Sequence, residues 1–142
     1  MKPATTTVCR KKRGYSLIEL AVTIVALGLL AAMAMPSYQR VVRKAHRASA
    51  IALLMDLRLR QERYRADNAG YASTLDEIAA PTSGAVVEDY VLAIVGSSTT
   101  AYRLRAQARD TSLQQADTQN AVSCAELEID QSGTKTPAAC WR

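Results

Sequence analysis

The sequence predicts an α+β chain in which one long N-terminal helix packs, by its second half, on a small antiparallel β-sheet. Three observations carry this expectation. Residues 15–35 form an apolar run of 21 residues with one charge, Glu19. From Ser37 onward helical spacing continues with no Gly or Pro until Gly70. Further on, residues 90–95, 101–109 and 122–130 carry the continuous or alternating apolar patterns of strands. A chain of 142 residues allows one small core beyond its first forty residues.

Charge locates a targeting segment. The formal net charge is +5, and Lys2, Arg10, Lys11, Lys12 and Arg13 account for all of it, so residues 15–142 are neutral overall. The body therefore lacks the general basic footprint of a nucleic-acid binder. Of the three cysteines, Cys9 lies in the basic segment. Cys124 and Cys140 remain as an even pair if that segment is removed, fitting either a disulfide of an exported protein or two unrelated thiols.

About 20 apolar residues at 1.5 Å per residue span the hydrocarbon core of a bilayer. Three readings of residues 15–35 compete. A secretory signal cut after Ala34, at the Ala32-Met33-Ala34 site, is shorter than this run and does not carry a carboxylate. A plain single-pass anchor explains the length and leaves Glu19 unexplained, although a charge in an apolar span is costly.

The third reading accounts for the carboxylate. The order Lys11-Lys12-Arg13-Gly14-Tyr15-Ser16-Leu17-Ile18-Glu19-Leu20 resembles the prepilin signature of the type IV pilin family. The resemblance implies a leader at residues 1–14, cut between Gly14 and Tyr15 by a prepilin peptidase that methylates the Tyr15 amine. It implies a transmembrane and polymerising half-helix at 15–40 and a globular head at 41–142. Glu19 is then the assembly residue: a buried carboxylate pairs with the cationic amine of a neighbour's helix, and a wrong register strands both charges. Tyr15 stands where the family most often has phenylalanine. Basic residues flank the span on both sides, so charge alone orients it weakly. The family likeness and the cysteine pair place the head outside the cytoplasm, first on the inner membrane and then in an extracellular fibre.

Pro36 cannot donate to the helix ladder and is expected to kink or locally melt the helix. Beyond it, Val41, Ala45, Ala48, Ala52, Met55 and Leu59 draw one apolar stripe, widened by Ile51, Leu54 and Leu57. Arg40, Arg43, Lys44, Arg47, Arg58 and Arg63 are expected mostly on other faces, with Asp56 and Arg60 paired at i,i+4. His46, the single histidine, reads as a solvated surface residue.

Residues 67–89 read as an irregular loop with Gly70, Pro81 and Gly84 and one helical turn near 75–79. Residues 61–78 and the ending Cys140-Trp141-Arg142 resemble PilE-type minor pilins. Residues 90–95 are apolar on both faces, as in a central strand. In 101–109, Tyr102, Leu104, Ala106 and Ala108 point inward while Arg103, Arg105, Gln107 and Arg109 point out. In 122–130, Ala125, Leu127 and Ile129 face the helix, and Glu126, Glu128 and Asp130 face out. These opposite charges predict that the two strands are antiparallel neighbours. The same alternation sets Cys124 on the outer face, and the family resemblance pairs it with Cys140 in a C-terminal disulfide loop.

Neither catalytic constellation nor metal or cofactor spacing is recognisable, and Asp130-Gln131-Ser132-Gly133 reads as a turn rather than a calcium loop. The expectation is a non-enzymatic subunit, most similar to minor pilins, of a type IV pilus serving twitching motility, adhesion or DNA uptake. Its implied partners are other pilin subunits, the prepilin peptidase, the inner-membrane assembly machinery and the membrane. A type II secretion pseudopilin and a membrane-anchored binding module that never polymerises remain alternatives. Nucleic acid is an open partner: Arg103, Arg105 and Arg109 form a basic stripe that Glu126, Glu128 and Asp130 are expected to neutralise.

Overall fold

The computed structural model describes residues 16–80, 86–87 and 89–142. The chain divides into two compact units, the first ending at Ser37 and the second running from Tyr38 to Arg142. Helix α1 (Leu17–Asp67) belongs to both and runs unbroken through Pro36. The local melting expected at that residue therefore does not occur. Pro36 still deprives the ladder of one N–H donor within the continuous helix.

In the first unit the side chains of α1 are mostly apolar and exposed: Leu17, Ile24, Leu27 and Leu30 are all more than half accessible. This stretch is long and apolar enough to cross a membrane by length and composition, and none of it is buried.

In the second unit α1 lies on an antiparallel sheet of five strands. These are β1 (Val86–Val87), β2 (Tyr90–Ser97), β3 (Tyr102–Ala108), β6 (Glu126–Asp130) and β7 (Lys135–Thr136), in that spatial order. A separate two-stranded hairpin joins β4 (Thr118–Gln119) to β5 (Val122–Ser123). Its corner residues, Asn120 and Ala121, have φ of 53° and 63°. Two consecutive positive φ values are what a two-residue hairpin with right-handed strand twist requires. The run expected as one strand over 122–130 is thus two strands with a break at Cys124 and Ala125.

The expected pairing holds for the central strands. β3 and β6 are antiparallel, with Arg105 opposite Glu128 and Ala106 opposite Leu127. β2 pairs with β3 on its other side, with a register shift between Ile94 and Gly96. Alternation in β3 is as read: Tyr102, Leu104, Ala106 and Ala108 are buried.

The buried face of α1 differs from the expected stripe. Arg47, Ala50, Leu54, Leu57 and Gln61 are buried. Val41, Ala45, Ala48, Ala52 and Leu59 are exposed, and Met55 is half-buried. The reason lies in the polar residues at the ends of the true stripe, both of which find partners. Gln61 donates its amide to the Ala72 carbonyl at 3.0 Å and accepts from the Ala72 N–H at 2.9 Å, which ties the following loop to the helix. Arg47 pairs with Asp117, as described below. Once these groups are satisfied, burying them costs little, so apolarity alone misplaces the face.

Cys124 is also corrected: it is fully buried in the core, not on the outer face, because the strand alternation stops before it. The loop contains the turn near 75–79, whose Ala80 N–H donates to the Leu75 carbonyl, and also β1, which pairs with β2. Pro81 and Gly84 lie outside the described residues.

Candidate functional site

Three places carry the residues that the sequence singles out. The first is the N-terminal end of α1. Glu19 lies in its first turn, where a carboxylate favours the positive end of the helix dipole. It stands among the exposed side chains of Leu17, Ile18 and Leu20. Gly14 and Tyr15, the proposed cleavage and methylation pair, lie outside the described residues.

The second is the C-terminal loop. Cys124 and Cys140 are joined (S–S 2.01 Å, Cα–Cα 5.6 Å), and both are fully buried. Cys140 sits on the 3-10 turn Ala138–Trp141, beside the β4–β5 hairpin. The Tyr90 hydroxyl donates to the Cys124 carbonyl at 2.9 Å and accepts from the Gln114 amide at 3.2 Å. Burial pushes the Tyr90 phenol up to about 12. Residues 130–134 close the adjoining turn. The Gly133 N–H donates to the Asp130 carbonyl, and the Ser132 hydroxyl and Thr134 N–H donate to the Asp130 carboxylate at 2.6 and 2.9 Å. The Ser132 hydroxyl, foremost among these donors, holds the Asp130 carboxyl below its ordinary pKa. Gly133 has φ of +81°, a conformation that side chains disfavour. This is the turn that the sequence suggested; among the described residues no cluster suited to a metal ion occurs.

The third is the charge on the head. On the outer face of the sheet, Arg105 reaches Glu128 at 2.7 Å and Glu126 at 3.4 Å, while Arg103 is 3.9 Å from Glu128. Arg105 is therefore neutralised in place and Arg103 only weakly, whereas Asp130, expected to join them, is engaged by Ser132 and Thr134 instead. At the other end of the unit, Arg40, Arg43, Lys44 and Arg47 line a groove of about 450 Å³ with Asp117, Thr118 and Gln119. Arg47 is committed there: one of its guanidinium nitrogens donates to Asp117 at 2.8 Å and another to Gln119 at 3.0 Å, with both charged partners nearly inaccessible.

Sequence reasoning missed Arg47 as a buried residue and His46 as a partnered one. His46 Nδ1 lies 2.9 Å from an Asp89 carboxylate oxygen, and both side chains are about one-third exposed. A usable signal existed for Arg47: with Ala50, Leu54, Leu57 and Gln61 it follows strict 3-4-3-4 spacing. No comparable signal existed for His46, since its partner is 43 residues away.

Residues 36–128 match the family model described as type IV minor pilin ComP, DNA uptake sequence receptor. Residues 9–35 match the prokaryotic N-terminal methylation motif. Curated relatives include the type II secretion system core protein G of Dickeya chrysanthemi, 34% identical over 65 residues, covering 46% of this chain and 42% of the relative. That of Pectobacterium carotovorum subsp. carotovorum is 36% identical over 64 residues, covering 45% and 41%. That of Klebsiella pneumoniae is 31% identical over 81 residues, covering 57% and 58%. The chain spans about half the length of the curated relatives it matches.

Proposed function

Since this chain belongs to the family of the type IV minor pilin ComP, DNA uptake sequence receptor, we propose that it is a fibre subunit whose head contacts DNA for uptake. As a minor pilin it assembles with other pilins, and its family is structural rather than catalytic. The observation that carries the reading is the coverage of the family match, which spans the head from the end of the apolar run to β6.

The finer steps follow from the residues. Residues 1–14 are the leader, 15–40 the membrane and polymerisation half-helix, and 41–142 the head. Prepilin peptidase cuts between Gly14 and Tyr15 and methylates the Tyr15 amine; the methylation motif over residues 9–35 supports this step. The subunit waits in the inner membrane, where the assembly machinery takes it into the fibre. Glu19 selects the register by pairing with the Tyr15 amine of a neighbour, because a slipped helix leaves two charges unpaired in apolar surroundings. Pro36 provides a site where the helix adjusts its curvature.

The Arg105 stripe is an inefficient DNA contact, since phosphates there compete with two carboxylates already in place. The reading is tested on the full chain purified from membranes. Intact mass starting at Tyr15 with one methyl group, and retention of duplex DNA that weakens as salt rises, are the expected results. An uncut chain refutes the processing step, and absence of DNA retention at low salt refutes the receptor role.

A second reading is supported by the curated relatives, which are type II secretion system proteins. It predicts that deletion abolishes protein secretion and leaves DNA uptake unchanged.

A further inference from the structure

We propose that the groove lined by Arg40, Arg43 and Lys44 binds the phosphate of an anionic phospholipid headgroup while the subunit is still in the membrane. The spacing of Arg40, Arg43, Lys44 and Arg47 is i, i+3, i+4, i+7, which sets four cations on one face of α1. Like charges so spaced repel one another, so the arrangement gains from an anion. Among the described residues that line this groove one is a carboxylate, Asp117, and that group is committed to Arg47 at 2.8 Å. Three cations are left facing a cavity of about 450 Å³, with Thr118 and Gln119 on its wall. Guanidinium forks, an ammonium and a hydroxyl are the donor set that a phosphate oxygen array takes up.

Position selects the source of the phosphate. Arg40 follows the last residue of the first unit by three positions, within one helical turn. Around it, Tyr38 is 71% and Val41 66% exposed, so an aromatic and an apolar side chain are interleaved with the cations. An amphipathic aromatic next to basic residues at the end of an apolar span is the composition of a headgroup layer. Cations on the non-cytoplasmic side of a span oppose the positive-inside bias, and a bound anionic headgroup supplies a reason for them.

The site rests on the membrane-embedded state proposed above, and the test separates the two. The full chain is first assembled into bilayer nanodiscs. It is then released from micelles holding equal amounts of phosphatidylglycerol and phosphatidylcholine, and its retained lipids are counted by native mass spectrometry. The wild-type chain is expected to retain the anionic lipid with a preference of roughly tenfold or more, at about fivefold per cation. Arg40→Gln/Arg43→Gln/Lys44→Gln should abolish the preference, whereas Arg63→Gln/Arg142→Gln should keep it. These side chains are exposed or half-buried, and none is in the core, so the triple variant folds; formation of the Cys124–Cys140 bond checks this. Equal retention of the two lipids by the wild type overturns the proposal. So does a short DNA duplex that displaces the lipid and fails to bind the triple variant, since the groove then belongs to nucleic acid. A chain that never enters nanodiscs refutes membrane anchoring and this site with it.

Discussion

Replacing Asp117 by Asn keeps the size of the side chain, removes its charge and leaves Arg47 buried without a counter-ion. The two side chains are 3% and 7% exposed and 2.8 Å apart. Breaking such a pair from one side costs about 3–5 kcal/mol. The Gln119 bond at 3.0 Å survives, so the lower end, about 3 kcal/mol, is expected. The backbone bonds of Asp117, to the Gln114 carbonyl and from the Cys124 N–H, do not involve the altered group. For a domain with about 5–15 kcal/mol of total stability this is a large loss. The assay is guanidinium unfolding of the full chain in detergent, followed by the fluorescence of Trp141, the single tryptophan. With a slope of about 3 kcal/mol per molar for a small domain, the midpoint should fall by about 1 M. Arg47→Met should fall comparably, and the double variant Arg47→Met/Asp117→Leu should recover most of the loss, since an apolar pair leaves no uncompensated charge. A shift of under about 0.3 M for Asp117→Asn, equivalent to roughly 1 kcal/mol, refutes the reasoning. So does a double variant no more stable than either single one.

Glu19→Ala should leave the head folded and remove the chain from sheared fibres; its presence there at the wild-type level sinks the assembly role of Glu19. Replacing Cys124 and Cys140 by Ser reopens a loop of sequence separation 16 and should cost about 3 kcal/mol, read as a lower unfolding midpoint under non-reducing conditions. Acid should weaken the head through Asp130 and Glu77, both held below the ordinary carboxylate pKa, Asp130 first by the Ser132 hydroxyl and Glu77 first by the Ser73 N–H. A lowered folded pKa contributes stability that is full above the unfolded value of about 4 and is lost as pH falls through the folded one. A pH titration of the unfolding midpoint should therefore decline below about pH 4, less steeply in Asp130→Asn.

Features set by short-range chemistry were legible in advance. The apolar run with one carboxylate, the alternation of Tyr102, Leu104 and Ala106, and the opposite signs of Arg105 and Glu128 each depend on residues a few positions apart, or on a pattern repeated across two strands. The face of α1 was misread because Val41, Ala52 and Leu59 are as apolar as the residues that are buried. His46 was read as solvated because no sequence window contains Asp89, and Arg47 was set on another face although its 3-4-3-4 spacing with Ala50, Leu54, Leu57 and Gln61 already marked it. Cys124 was turned outward by extending the alternation of β6 across the break at Cys124 and Ala125 that separates it from β5.

By itself the sequence determined the class of the protein, since a span-length apolar run with Glu19 behind a basic segment and Gly14 is a local pattern that few other functions require. Tertiary structure alone decided which polar groups are buried and which cations stay uncompensated. Arg47 and Gln61 are core residues only because Asp117 and Ala72 meet them. Arg40, Arg43 and Lys44 form a groove only because Asp117 and β4 lie against that stretch of α1. The physical reason is that a polar group's position depends on partners distant in sequence, whereas apolar periodicity and membrane length are properties of a contiguous segment.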